Sequence, residues 1–258
     1  MITSNILAKS LMLGASLGMK ARNITYKSGQ ICQSNAHLFE GVSNSTSKLL
    51  AYKGARQILG QNNRGLLALD YGCGLGDSTK FVSSFGFKTI GVDHDPHMVR
   101  QARNKNSGIP FAQVYGSKLP FGPNSFDLVY SSFVVLELPN MSVLNHYFDA
   151  AYKVLKPGGR MVVLTSNPEI YNPDRNWLTL KPWIDNQLKV GEKVKITVTD
   201  TGTTFEDYFW TENELTDAAE QAGFKVENAL YPLGDELDQI DWKDEWQHST
   251  NLVLELIK

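Results

Sequence analysis

From residue 48 to residue 166 short apolar runs alternate with longer amphipathic segments. Strands that lie parallel in one sheet need a crossover between them, and a helix is the usual crossover, so this rhythm restricts the chain to an α/β fold. Apolar runs at 66–70, 88–92, 109–114, 126–131 and 160–166 read as five strands. Helices are predicted at 49–59, 76–85, 96–106 and 142–155. Pro96 stands at a first helical position, where its missing N–H costs nothing, and Lys156-Pro157-Gly158-Gly159 stops the last helix.

At Asn167 the rhythm breaks. Residues 167–210 contain Pro168, Pro173 and Pro182, many aromatics and one β-like run at 193–199, and they read as an insertion. A helix follows at 211–222, opened by a Thr-x-x-Glu capping box (Thr211, Glu214) and closed by Gly223. Residues 224–231 and 251–257 are the last two strands. The expected architecture is a doubly wound, mostly parallel seven-stranded sheet with an N-terminal helical segment and an inserted cap, within one domain of 258 residues.

Charge narrows the partners. Residues 1–69 hold eight Lys/Arg and one acid, Glu40, whereas residues 200–258 hold fifteen Asp/Glu and three Lys. The two ends can attract each other, and so acidic a tail would repel a polyanion, which argues for a small-molecule partner and against nucleic acid. Cys32 and Cys73 are far apart and lie outside any CxxC or His-rich context, so neither a disulfide framework nor a metal site is expected. A reducing, cytoplasmic setting follows. Residues 1–22 carry Lys9, Lys20 and Arg22 without an acid and read as a basic amphipathic helix in preference to a targeting signal; no charge-free run is long enough for a membrane span.

The chemistry concentrates at Asp70-Tyr71-Gly72-Cys73-Gly74-Leu75-Gly76, between a predicted strand and a predicted helix. Glycine there lets backbone approach a ligand without a Cβ clash. Asp93 ends the second strand, 23 residues after Asp70, where a carboxylate can accept both hydroxyl hydrogens of a ribose. A nicotinamide-binding turn would use GxGxxG. Here the third glycine of that pattern is replaced by Asp77, which weakens the dinucleotide alternative.

The stretch from Asp70 to Leu164 resembles the class I S-adenosylmethionine-dependent methyltransferases. Five ordered signatures carry the resemblance: Asp70 with the GxGxG turn, Gly91-Val92-Asp93-His94-Asp95 with Met98, Leu119-Pro120-Phe121, Phe126-Asp127 through Ser131, and Leu155 through Gly159. It implies S-adenosyl-L-methionine as cofactor, with Gly72, Cys73 and Gly74 under its methionine part, Asp93 on the ribose, His94 and Met98 beside the adenine, Asp70 reaching the methionine amine directly or through water, and Ser131 offering backbone to the same amine. Where many relatives have an Asp before Leu-Pro-Phe this chain has Tyr115, so Gly116 and Ser117 are expected to replace that adenine contact. Glu137 stands where many relatives have His.

Methyl transfer to an oxygen, nitrogen or carbon of a small metabolite is the implied reaction. It asks chiefly for positioning, helped by a base when the acceptor carries a proton. Glu137, His37, His146 and Tyr26 are the candidate bases. Within the domain, residues 48–166 form the expected cofactor-binding core and 211–258 its C-terminal helix and strands, while 1–47 and 167–210 cover the acceptor. Tyr26, Phe133, Tyr171, Trp177, Trp183, Tyr208 and Trp210 are the candidate acceptor contacts, as a cage for a cation or a stacking surface for a flat ring. A non-catalytic S-adenosylmethionine-binding regulator and a nicotinamide-dependent oxidoreductase are the alternatives.

Overall fold

The computed structural model describes residues 45–115, 118–184 and 188–258. The expected N-terminal helical segment up to residue 44, with Tyr26 and His37, and the pair Gly116 and Ser117 lie outside the described residues.

Seven strands form one sheet in the order β3-β2-β1-β4-β5-β10-β9. They are β1 (Leu67–Tyr71), β2 (Lys88–Asp93), β3 (Phe111–Gln113), β4 (Phe126–Ser132), β5 (Leu155–Ser166), β9 (Lys225–Leu230) and β10 (Asn251–Ile257). The first five run parallel, and β10 enters antiparallel between β5 and β9. The helices are α1 (Leu49–Leu59), α2 (Asp77–Ser84), α3 (Pro96–Lys105), α4 (Met141–Val154) and α5 (Glu212–Ala222). Alternate strand residues divide the core between the two faces. Leu69, Val129, Met161 and Leu254 pack with Leu144 and Phe148 of α4 and Leu215 of α5. Ala68, Leu128, Val162 and Val253 pack with Ala55 and Leu59 of α1 and Val82 of α2. Burial on both sides explains why these strands read as continuous apolar runs.

Local signals place the helix ends. Asp95 accepts from the His97 amide at 2.7 Å ahead of Pro96, and Asn140 caps α4 through the Val143 amide. The Thr211–Glu214 capping box is present, and Gly223 closes α5 at φ +105°. One boundary differs from expectation: β5 starts at Leu155, not at residue 160. Pairing with β4 jumps from Phe126↔Leu155 to Leu128↔Arg160, so Lys156 through Gly159 bulge out within the strand.

The insertion also differs. In place of one β-like run it holds a three-stranded antiparallel sheet: β6 (Leu180–Trp183), β7 (Lys193–Val198) and β8 (Thr203–Tyr208). Pro182 masks β6 in the sequence yet is tolerated because β6 is an edge strand. Val194, Ile196 and Val198 turn inward onto Ile170, Tyr171 and Trp177. The acidic tail serves this packing. Glu245, fully buried, accepts from the Leu178 and Thr179 amides at 2.8 and 3.0 Å, and Lys53 of α1 pairs with Asp235 at 2.6 Å and Asp238 at 3.1 Å. Among the described residues no helix is long and apolar enough to cross a membrane.

Candidate active site

A cavity of about 630 Å³ opens between the carboxyl ends of β1, β2 and β4 and the inner face of the β6–β8 sheet. Its floor is the glycine turn. The Gly72 and Cys73 amides donate to the Val92 carbonyl at 2.8 and 2.9 Å, fastening the turn to β2. Gly72 has φ +85°, and a Cβ there would stand 2.3 Å from Cγ2 of Val134. Gly74, at φ +49°, has nothing within 4 Å of a Cβ and opens onto the cavity. The first glycine is therefore required by packing, while the second leaves bare backbone for a ligand.

Asp93 lines the cavity although only 6% of its surface is exposed. One carboxylate oxygen accepts from the Gly74 amide at 2.8 Å and the other from the Asp95 amide at 2.9 Å. Each oxygen keeps a lone pair, the acceptor capacity that two vicinal hydroxyls require. Burial raises its pKa, against the pull of His94 and the two amides. His94, Met98 and Cys73 lie beside it on the lining, and burial pushes the Cys73 thiol well up.

Two of the expected contact residues, Asp70 and Ser131, are off the cavity lining. Asp70 is fully buried beneath the floor and off the lining, which removes the direct route to a ligand amine. It shares the α2 side of β1 with Ala68, so its Oδ2 accepts from Ser78 and Thr79 at 2.7 and 2.6 Å, and Oδ1 has no partner among the described residues. Burial raises its pKa to about 7, with the two hydroxyl bonds opposing. The Ser131 side chain is likewise sealed, its Oγ accepting from Tyr147 at 2.7 Å, while the role expected of Ser131 rests on its backbone. Its neighbour Ser132 lines the cavity, because successive strand residues face opposite sides.

The candidate aromatics separate by face. Phe133 and Tyr208 line the cavity. Phe133 holds φ +61°, a left-handed conformation costly for a bulky residue and stored here at the end of β4. Tyr171, Trp177 and Trp210 are packed away: Tyr171 meets Phe209 edge-on at 5.5 Å, Trp177 donates to the Ile170 carbonyl and Trp210 to the Leu138 carbonyl. Trp183 stands on the outer face, 54% exposed, donating to Thr197 with Lys181 over its ring. None of these four is on the cavity lining: Tyr171 and Trp177 are buried in the insertion's own core, Trp210 is buried in the main core, and Trp183 faces outward.

Of the candidate bases, His146 sits on exposed α4 beside a separate groove with Lys118, Phe121 and Asp149, remote from the glycine turn. Glu137 lines the cavity from the helical turn Val135–Glu137 after β4, its side chain exposed there. The protein packed around it raises its pKa to about 7, with Asp93 and Asp207 adding and His94 opposing. Asp207 on β8 is a residue that sequence reasoning missed. It lies on the lining, and burial lifts its pKa to about 7. Strict alternation from Phe205 would have placed it on the inner face.

Residues 68–159 match the family described as a methyltransferase domain. A demethylmenaquinone methyltransferase of Tropheryma whipplei is 39% identical over 98 residues, 37% of this chain and 39% of that protein. The sterol 24-C-methyltransferase of Saccharomyces cerevisiae is 26% identical over 220 residues, 79% of this chain and 50% of that protein. The chain thus spans about half or less of the length of these curated relatives. In fold it is similar to an S-adenosylmethionine-dependent methyltransferase from Mesorhizobium loti, with a TM-score of 0.59, 21% identity, and coverage of 81% of this chain and 98% of that one.

Proposed function

We propose that this chain, a member of the class I S-adenosylmethionine-dependent methyltransferase family through residues 68–159, transfers a methyl group to a small molecule held beneath the β6–β8 sheet. One observation carries the reading: the cavity that begins at Gly74 and Asp93 continues between Phe133 and Glu137 on one side and Phe205, Asp207 and Tyr208 on the other. Cofactor cradle and acceptor space are one enclosure.

The residues present fit the cofactor. Asp93 offers two oxygens to the ribose hydroxyls, Gly74 offers unobstructed backbone, and His94 and Met98 border the space for the adenine. S-adenosylmethionine supplies a methyl carbon already activated on a sulfonium and leaves as S-adenosylhomocysteine. The protein then needs to hold the acceptor in line, exclude water and, for a protonated acceptor, take a proton. Glu137 is placed to take it. The demethylmenaquinone and sterol enzymes among the relatives support a small acceptor, and the free, buried thiol of Cys73 supports a reducing, cytoplasmic setting.

Calorimetric titration with S-adenosylhomocysteine and with NADH tests the cofactor. Binding of the first alone is expected, and binding of NADH alone would replace this reading with an oxidoreductase. Incubation with methyl-labelled cofactor and a metabolite extract tests transfer. Binding without label in any metabolite would instead make the chain a non-catalytic regulator.

A further inference from the structure

The cavity holds more acid than it neutralises. Asp93, Glu137 and Asp207 all line it. Among the described residues neither the Glu137 nor the Asp207 carboxylate has a hydrogen bond or ion pair with a protein group, and His94, beside Glu137, leans on Asp93 at 3.4 Å. Lys48, also on the lining, faces Asp77, and Lys193 there pairs with Glu206 at 3.2 Å. Glu137 and Asp207 come from elements far apart in sequence, the turn after β4 and strand β8, which pack directly against each other. A cleft lined by carboxylates without cationic partners concentrates negative potential and favours a bound cation. Around them the wall is apolar: Ile196, Val198, Phe205 and Phe133.

We propose that Glu137 and Asp207 together hold the ammonium group of an amine whose apolar body lies against Phe133, Phe205 and Ile196, so that the methyl acceptor is a primary or secondary amine nitrogen. The proposal rests on the methyltransferase reading above and names its substrate class. Both carboxylates are held with raised pKa by their surroundings, Glu137 to about 7 and Asp207 to about 7, which favours passing a proton from nitrogen to carboxylate. The freed nitrogen lone pair forms the bond to the methyl carbon as the sulfur–carbon bond breaks and its electron pair stays on sulfur. The proton remains on the carboxylate until product leaves.

The test uses the full chain saturated with S-adenosylhomocysteine, titrated calorimetrically at pH 8 with primary and secondary arylalkyl amines, each paired with its alcohol isostere, beginning with 2-phenylethylamine against 2-phenylethanol. At least one amine is expected to bind about tenfold or more tighter than its alcohol, the worth of a charge-assisted hydrogen bond. Glu137→Gln and Asp207→Asn should each bring the ratio close to one while S-adenosylhomocysteine still binds, which shows that the variants are folded. Equal binding of every amine and its alcohol, or discrimination that survives both substitutions, overturns the proposal. Failure of the wild-type chain to bind S-adenosylhomocysteine would instead overturn the methyltransferase reading, so the two failures are distinguishable.

Discussion

The floor and the wall of the cavity are built on different principles. The floor, formed by the ends of β1, β2 and β4, is held by backbone: the Gly72 and Cys73 amides bond to Val92, the Gly74 amide bonds to Asp93, and register in a parallel sheet sets every position. The wall, the β6–β8 sheet, is held by side chains packed into its own small core and by polar ties such as Asp200, which accepts from Ser45 Oγ and the Thr46 amide, both at 2.9 Å. A floor of this kind tolerates little variation and suits an invariant ligand. A wall of this kind can change its lining while keeping its core, which suits acceptor choice.

The largest expected effect breaks the floor. Gly72→Ala forces a left-handed alanine against Val134 and should weaken S-adenosylhomocysteine binding by about a hundredfold or more with a clear fall in Tm. Gly74→Ala carries the left-handed backbone cost of about 1–2 kcal/mol and puts its Cβ into the cavity, so it should weaken S-adenosylhomocysteine binding with a smaller fall in Tm. Equal falls in Tm would show that Val134 does not hold the turn. Next comes Asp93→Ala, for which calorimetry should show a 10- to 150-fold loss of S-adenosylhomocysteine affinity, equivalent to about 1.5–3 kcal/mol.

Third is a pH effect inside the floor. The folded-state pKa of Asp70 is raised from 3.8 to about 7, so the folded chain binds a proton there that the unfolded chain releases. Stability from this group is full below about pH 4 and is lost as pH rises through about 7. Urea midpoints should fall from pH 5 to pH 8, and Asp70→Asn should reduce that fall; an unchanged slope would show that Asp70 titrates normally. The smallest effect belongs to the wall. Asp200→Ala, on an exposed turn, should lower stability by about 0.5–1.5 kcal/mol in urea unfolding and leave S-adenosylhomocysteine affinity unaltered. A change in that affinity would mean that wall and floor are coupled.

The same division explains what was legible in the chain. Floor elements announce themselves because strands buried on two faces are continuously apolar and glycine turns carry their own spacing, so Gly74, Asp93, His94 and Met98 were assigned to the cavity region from sequence and do line it. That the Ser132 side chain and not that of Ser131 lines the cavity was not legible, since a continuously apolar run does not reveal which side faces a ligand. In the wall, Pro182 hid β6, and β8, which carries Asp207, has too few apolar residues to read as a strand, so the alternation that places Asp207 inward had no strand to be applied to. The aromatics there looked alike in sequence, yet only their partners separate the inward Tyr208 from the buried Trp177 and Trp210 and the outward Trp183.

Local order therefore follows from the sequence alone: the strand–turn–helix succession, the Thr211 capping box, the glycine turn and a carboxylate at the end of β2 all depend on neighbours within a few residues. The inner lining depends on residues far apart in the chain. Glu137 and Asp207 stand 70 positions apart, and they share one cavity because the β6–β8 sheet packs over the end of β4, a contact fixed by burial and not by spacing.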